Sequence, residues 1–440
     1  MRKSFFIPAA IVSLLLVATL VLLAVSQQRA NSNALATASA SVSALASPAD
    51  KAIQAAEKLL QRQPNRAREY SHGYNQLSAG LIQKARETGD AAFTVRAAEA
   101  VRRSLEITPD TQENYDALRL QATLQLSEHR FAGALKLGQQ MQKLRPEDHF
   151  VYGVLTDAQV ELGDYTAAVK AADRMVELRP DATSYARISY LRSLYGHTEP
   201  ALEAMRLAVR SANPRVPEGQ AWYRVQLGNE LLNVGRHDEA EREFDAALLV
   251  FPDYYEALEA KARARVAAQD YQSALEYYRR ALTRARQPEA YIGLSDLYDK
   301  LGRPDEAERQ RLFLESSEHR TSSAHSRQYA IYLANHNLKL EEVLTLTQAE
   351  RALRSDIYTC DALAWALFKN GRLAEAKTAM GEALRLGTRD ARLYYHAGMI
   401  YHALGEREPA KKYLEQALNL NPVFDLSQTD TARQTLAALR

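Results

Sequence analysis

Residues 391–422 read ARLYYHAGMIYHALGEREPAKKYLEQALNLNP, and their spacing decides the fold. Tyr394, Ala397, Gly398 and Tyr401 lie three and four apart before Gly405, and Ala410, Leu414 and Ala417 repeat that spacing after it. Apolar residues so spaced share one face of a helix. Gly405 is the turn between two such helices. Pro422 lacks an amide hydrogen and clashes with the preceding turn, so it closes the unit. The expectation is a helical hairpin in which large side chains of the first helix face small ones of the second, letting the axes approach closely.

A hairpin this short cannot bury its apolar faces alone, so copies must stack. The alanine equivalent to Ala410 recurs as Ala134, Ala168, Ala201, Ala240, Ala274, Ala307 and Ala376. The successive intervals, ending at Ala410, are 34, 33, 39, 34, 33, 69 and 34 residues. The longest spans two units, with Val343 in the skipped slot of a degraded repeat. Gly163, Gly196, Gly235, Gly302 and Gly371 each stand five residues before their alanine, and Pro109, Pro146, Pro180, Pro214 and Pro252 end units as Pro422 does.

This period and pattern resemble the tetratricopeptide repeat. The family pattern is matched by Leu227, Gly228, Leu231, Gly235, Ala240, Phe244, Ala247 and Pro252, and most of residues 67–422 follow it. Trp222 lies two places early, His129 and Gln269 replace the turn glycine, and residues 315–356 are irregular. The resemblance implies an all-α fold, a right-handed α-solenoid of about ten helical hairpins. A half unit at residues 50–63, closed by Pro64, precedes it, and an amphipathic helix at 429–439 caps it, since a terminal unit needs one polar outer face.

At 440 residues the chain exceeds one ordinary compact core, which a solenoid escapes because each repeat touches only its neighbours. Net charge is +2, and setting aside Arg2 and Lys3 leaves 54 basic against 54 acidic residues. A nearly neutral repeat domain has no strong field for nucleic acid, so no nucleic-acid partner is expected.

Residues 5–25 form an apolar run after Arg2 and Lys3, with no further charge until Arg29. Its length of roughly 20 residues suits a spanning helix better than a cleaved signal, whose apolar core is about 7–15 residues long. Residues 1–26 are therefore expected to be a membrane anchor. The alternative is cleavage near Ser26, after the small residues of Ala24-Val25-Ser26, and secretion. Either way the preceding positive charges put the rest on the outer side of a membrane. Residues 27–48, rich in Ser and Ala, read as a disordered tether, and 49–440 as the solenoid.

Chemistry is sparse. No His-Glu-x-x-His, phosphate-cradling glycine loop or Gly-x-Ser-x-Gly elbow occurs. His396 and His402 are six apart, pointing differently, and are expected at solvated or groove-edge positions. His319, His325 and His336 cluster in the irregular segment and read as a polar connector without ligand spacing. The sole cysteine, Cys360, has no disulfide partner and reads as a small buried hydrophobe. No catalysis, metal, cofactor or small-molecule substrate is expected.

Function in a solenoid lives on its surfaces, the concave groove above all. The resemblance implies that the groove row includes Asp157, Tyr190, Asn229, Arg263, Asp296, Trp365 and Met399, with Trp222, Tyr358 and Tyr395 projecting toward it. Several relatives grip a carboxylate with Lys, Asn and Arg on consecutive repeats. Asn229 and Arg263 match, but Val225 stands where the lysine belongs, so the clamp is incomplete. The groove residues suit a protein or peptide partner. A second reading is an envelope accessory protein holding glycan or peptidoglycan through the aromatic groove.

Overall fold

The computed structural model describes residues 47–62, 67–315 and 326–439. The apolar run 5–25, nearly all of the tether, Pro64, His319 and His325 lie outside these. Among the described residues there are twenty-two helices and no strand. Helix α1 (Pro48–Gln61) leads, and ten hairpins follow. The first five are α2–α3 (Ala67–Thr88, Ala91–Ile107), α4–α5 (Tyr115–Ser127, Phe131–Leu144), α6–α7 (His149–Glu161, Tyr165–Leu178), α8–α9 (Ala182–Leu194, Thr198–Ser211) and α10–α11 (Pro217–Asn233, His237–Val250). The next three are α12–α13 (Tyr255–Ala267, Tyr271–Arg284), α14–α15 (Pro288–Lys300, Pro304–Leu314) and α16–α17 (Ser326–Asn335, Leu340–Leu353). The last two are α18–α19 (Ile357–Lys369, Leu373–Ala383) and α20–α21 (Ala391–Ala403, Arg407–Leu420), with α22 (Gln428–Ala438) after them. The irregular segment thus contains a hairpin, and the final helix begins one residue earlier than expected.

The repeat register holds. All eight alanines of the series are at most 1% exposed, and Val343, in the degraded unit, is fully buried. The interlock is not one-directional, however. A Cβ on Gly228 would sit 2.3 Å from the Phe244 ring, and one on Gly398 would sit 2.7 Å from Leu414. Here the second helix supplies the large side chain and the first supplies bare backbone, the reverse of the expected arrangement, because glycine removes the bulk that holds helices apart.

The turn between helices needs one left-handed residue. The repeat glycines provide it, as in Gly405 at φ 76°, and His129 and Gln269 adopt it at φ 58° and 59° without being glycine. The degraded unit manages with Asn337 and Lys339, both at positive φ.

The stack winds until it meets itself. Backbone Ser355 N donates to Glu161 O at 2.9 Å, and Ile357 N donates to the Tyr165 hydroxyl at 2.9 Å. The Thr388 hydroxyl donates to Leu194 O, the Asn421 amide to Leu232 O at 2.9 Å, and the Gln287 amide to Gly89 O at 2.8 Å. These pairs are separated by 189–198 residues, roughly six repeat lengths, so the superhelix closes one turn onto the next. A continuous core forms across the seam, joining Val160, Tyr165 and Leu194 with Ile357, Cys360 and Leu393. The expected open groove is therefore the interior of a closed coil along this stretch.

Candidate functional site

The interior is lined by the first helices of the hairpins, and its polar side chains are mostly spent on one another. Asp157 on α6 takes two hydrogen bonds from Arg187 on α8, at 2.8 Å from Nε and 2.6 Å from Nη2. Arg263 on α12 donates to Asn229 Oδ1 on α10 at 2.9 Å and to Glu259 on its own helix at 2.9 Å. Asp296 on α14 accepts from Nε2 of His336, the residue after α16, at 2.8 Å. Each pair ties one repeat to the next, because residues one repeat apart on adjacent first helices come side by side. The Asn229 and Arg263 half of the carboxylate clamp is thus self-occupied, and Val225 is buried at 2% exposure.

Tyr190 is different. At 41% exposure it is an open aromatic in the row, whereas Trp222 is half-buried, edge-on to Tyr223 at 5.1 Å. Across the seam stand Arg327, which donates to Asp356 at 3.1 Å, and Arg354, which donates to Glu161 at 2.9 Å. Burial raises the Tyr190 hydroxyl well above its ordinary range, and Glu161 and Asp356 push the same way by repelling a phenolate. Glu161 is itself raised by burial and by Asp356, although Arg354 opposes this. Charged residues of two superhelical turns thus lie near the Tyr190 hydroxyl, while the ring itself stays open.

Further along, α12 presents carboxylates. Glu256 is raised to about 7 by burial, although it accepts hydrogen bonds from the Tyr254 hydroxyl at 2.8 Å and the Tyr255 hydroxyl at 3.2 Å. Glu259 and Asp296 are raised as well, burial being the main cause for both.

Trp365, Tyr395 and His396 correct expectation. Trp365 is 2% exposed, stacked on His396 with ring centres 4.1 Å apart, and donates to Asn335 at 2.8 Å. Tyr395 is buried against Phe424 at 5.6 Å. His396, expected at a solvated edge, is buried with Nδ1 donating to Asp361 at 2.8 Å. Phe424, Ala432, Leu436 and Leu439 join the same apolar cluster as Trp365 and Tyr395. Met399 packs half-buried at the edge of that cluster.

Cys360 is fully buried, its thiol pushed up by burial against the opposing pull of Arg385. Among the described residues no group of three His, Cys, Asp or Glu is disposed to hold a metal ion. Nor is any described helix long and apolar enough to cross a membrane.

Sequence spacing reaches both members of the Asn229–Arg263 staple but only Asp157 and Asp296 of the other two. Arg187 stands 30 residues after Asp157 and His336 stands 40 after Asp296, separations near one repeat that opposite charges make searchable. Arg327 and Arg354 carried no such signal, since their place beside Tyr190 and Glu161 depends on the closure of the coil.

No curated protein matches the sequence. Many solved structures are similar, three of which show the low identity involved. The crystal structure of MamA is 19% identical, covering 35% of this chain and 88% of that one, with a TM-score of 0.29. A tetratricopeptide repeat protein from Parabacteroides merdae ATCC 43184 is 21% identical, covering 59% and 98%, with a TM-score of 0.35. The APC/C hetero-tetramer Cut9–Hcn1 is 14% identical, covering 87% and 92%, with a TM-score of 0.34. Residues 225–290 and 260–310 match one family model described as tetratricopeptide repeat, and residues 391–424 match another. The chain thus contains tetratricopeptide repeats, recognised at residues 225–310 and 391–424, within an array of ten helical hairpins.

Proposed function

We propose that this protein is a non-catalytic scaffold that holds a protein or peptide segment inside its superhelix and so assembles or positions that partner. The observation that carries this reading is the interior around Tyr190: an exposed aromatic set among inter-repeat ion pairs, where an aromatic anchor gives affinity and fixed polar groups give register. Residues 5–25 would tether the solenoid to a membrane with the repeats on its outer side; cleavage near Ser26 would release it instead.

The glycan reading loses support, because Trp365 and Tyr395 do not offer open ring faces for a sugar to stack on. Trp365→Ala is for the same reason a poor test of binding. It would empty a packed site and cost about 3–5 kcal/mol of stability.

Photocrosslinking in cells decides the matter. A crosslinker at Tyr190 or Asn229 should trap a discrete partner, and one at Leu249, which is 84% exposed on a second helix, should not. Equal trapping at all three sites would overturn the interior as the binding face, and retention of the solenoid on polysaccharide would favour the second reading.

A further inference from the structure

A helix that only caps the stack would touch the hairpin before it. The segment from Asn421 to Leu439 does more. Asn421 reaches Leu232 at the end of α10, and Leu426 packs on the core of α12–α15. Gln428 Nε2 donates to Asn335 Oδ1 on α16 at 2.8 Å, and Lys300 at the end of α14 donates to Asp430 at 3.2 Å. Phe424 lies against Tyr395 on α20. The segment thus reaches from the last repeat to the previous superhelical turn and touches α16 and α20, the helices on either side of α18.

Its hold there is incomplete. Gln428 Nε2 and Trp365 Nε1 share one acceptor, Asn335 Oδ1. Gln428 Oε1 and His396 Nε2 are buried without a hydrogen-bond partner among the described residues. Buried polar atoms left so cost about 1–3 kcal/mol each. The buried face of α22 is Gln428, Thr429, Ala432 and Leu436, of which only Leu436 is large and apolar. Beyond that face the segment also buries Phe424 and Leu439, and this apolar burial offsets part of those costs. In the same cluster Trp365 and Tyr395, with His396 and Asp361 beside them, form an aromatic and polar floor suited to an amphipathic helix.

We propose that the concave face of α16, α18 and α20 is a binding site for an amphipathic segment, held shut by the chain's own residues 424–439, which a partner must displace to enter. This rests on the reading of the interior as a peptide-binding surface, but its test needs no external partner.

The probe is a fluorescein-labelled synthetic peptide of residues 421–440, titrated against the full chain. Wild type, its site filled by its own segment, should bind the peptide more weakly than a released variant, by about 100-fold for a self-occupancy of about 99%. Phe424→Asp with Leu436→Asp makes that release by placing two charges in the apolar contact. In a Trp222→Phe background, where Trp365 is the only tryptophan, the released variant should also show red-shifted emission. A folded variant that binds no better than wild type would overturn the proposal. Should the double variant fail to fold, Gln428→Ala decides: a gain of several-fold supports displacement, and unchanged binding with a lowered melting temperature makes the segment a structural cap only. Crosslinking at Tyr190 stands or falls separately, so the two readings fail distinguishably.

Discussion

Replacing Arg354 by alanine tests whether the superhelix is closed. The guanidinium is 4% exposed and sits between Glu161 of the facing turn at 2.9 Å, Glu350 of its own helix at 2.5 Å, and Asp356 at 3.7 Å. Removing a buried cation that three carboxylates share should cost the fold about 3–5 kcal/mol. Only the Glu161 contact distinguishes closed from open coil. A hydrogen bond to a charged group contributes about 1.5–3 kcal/mol, so the closed-to-open ratio should fall about 10- to 100-fold. The sensitive readout is amide hydrogen exchange. Ile357 opens α18, where an amide has no partner within its own helix, so its protection depends on the Tyr165 hydroxyl 192 residues earlier. The Ser355 amide depends likewise on Glu161 O. Both should exchange about 10- to 100-fold faster in Arg354→Ala, while amides in the middle of α18 change only with global stability. X-ray scattering should show a longer maximum dimension. Unaltered exchange at Ser355 and Ile357 in a folded variant would refute the closed coil. Glu161→Gln, which keeps an acceptor for Arg354, should give a smaller effect at the same two amides.

Three further outcomes follow from the same geometry. Gly196→Ala should lower the melting temperature more than Gly371→Ala, because both have positive φ but only at Gly196 would the new Cβ lie 2.5 Å from a facing-turn carbonyl, that of Gly387. Equal shifts would count against the seam. Ala240→Arg should destabilise the α10–α12 region by at least about 3 kcal/mol, since Ala240 is fully buried and the change adds both volume and charge. An unaltered urea midpoint would contradict the register. Glu230 has its carboxyl raised to about 7, from an ordinary value of 4.5, by burial, with the Ser189 hydroxyl hydrogen bond opposing. A raised folded value means that stability is full below the unfolded value and is lost as pH climbs through 7, by about 1–3 kcal/mol in total. Glu230→Gln should flatten the fall between pH 5 and 8; an unchanged slope by urea unfolding would refute it.

The legible and illegible parts of the site differ in the range of the interaction that places them. Asp157, Asn229, Arg263 and Asp296 were assigned to the interior from their place in the repeat, and each has a partner about one repeat or less away, within reach of a periodic pattern. Trp365 and Tyr395 are expected at the groove on the same resemblance, yet both are buried. Tyr395 is covered by Phe424, a residue of a segment outside the period, and Trp365 is packed among Phe368, Tyr395 and His396. The turn residues show the same division. Positive φ at Gly163 and Gly196 is a local demand that any such hairpin makes, but the carbonyl of Ser355 that a Cβ on Gly163 would meet at 2.7 Å comes from nearly 200 residues away.

By itself the sequence determined the helices, their pairing into hairpins and the stacking register, because the 3.6-residue period, the buried alanines and the turn residues all act within one unit and its neighbour. Tertiary structure alone decided that the stack closes on itself and that its own residues 424–439 lie over part of the concave face. Both depend on the small rotation added at each interface. Summed over about six repeats, that rotation brings distant residues such as Tyr165 and Ile357 within hydrogen-bond distance, and no local spacing records the sum.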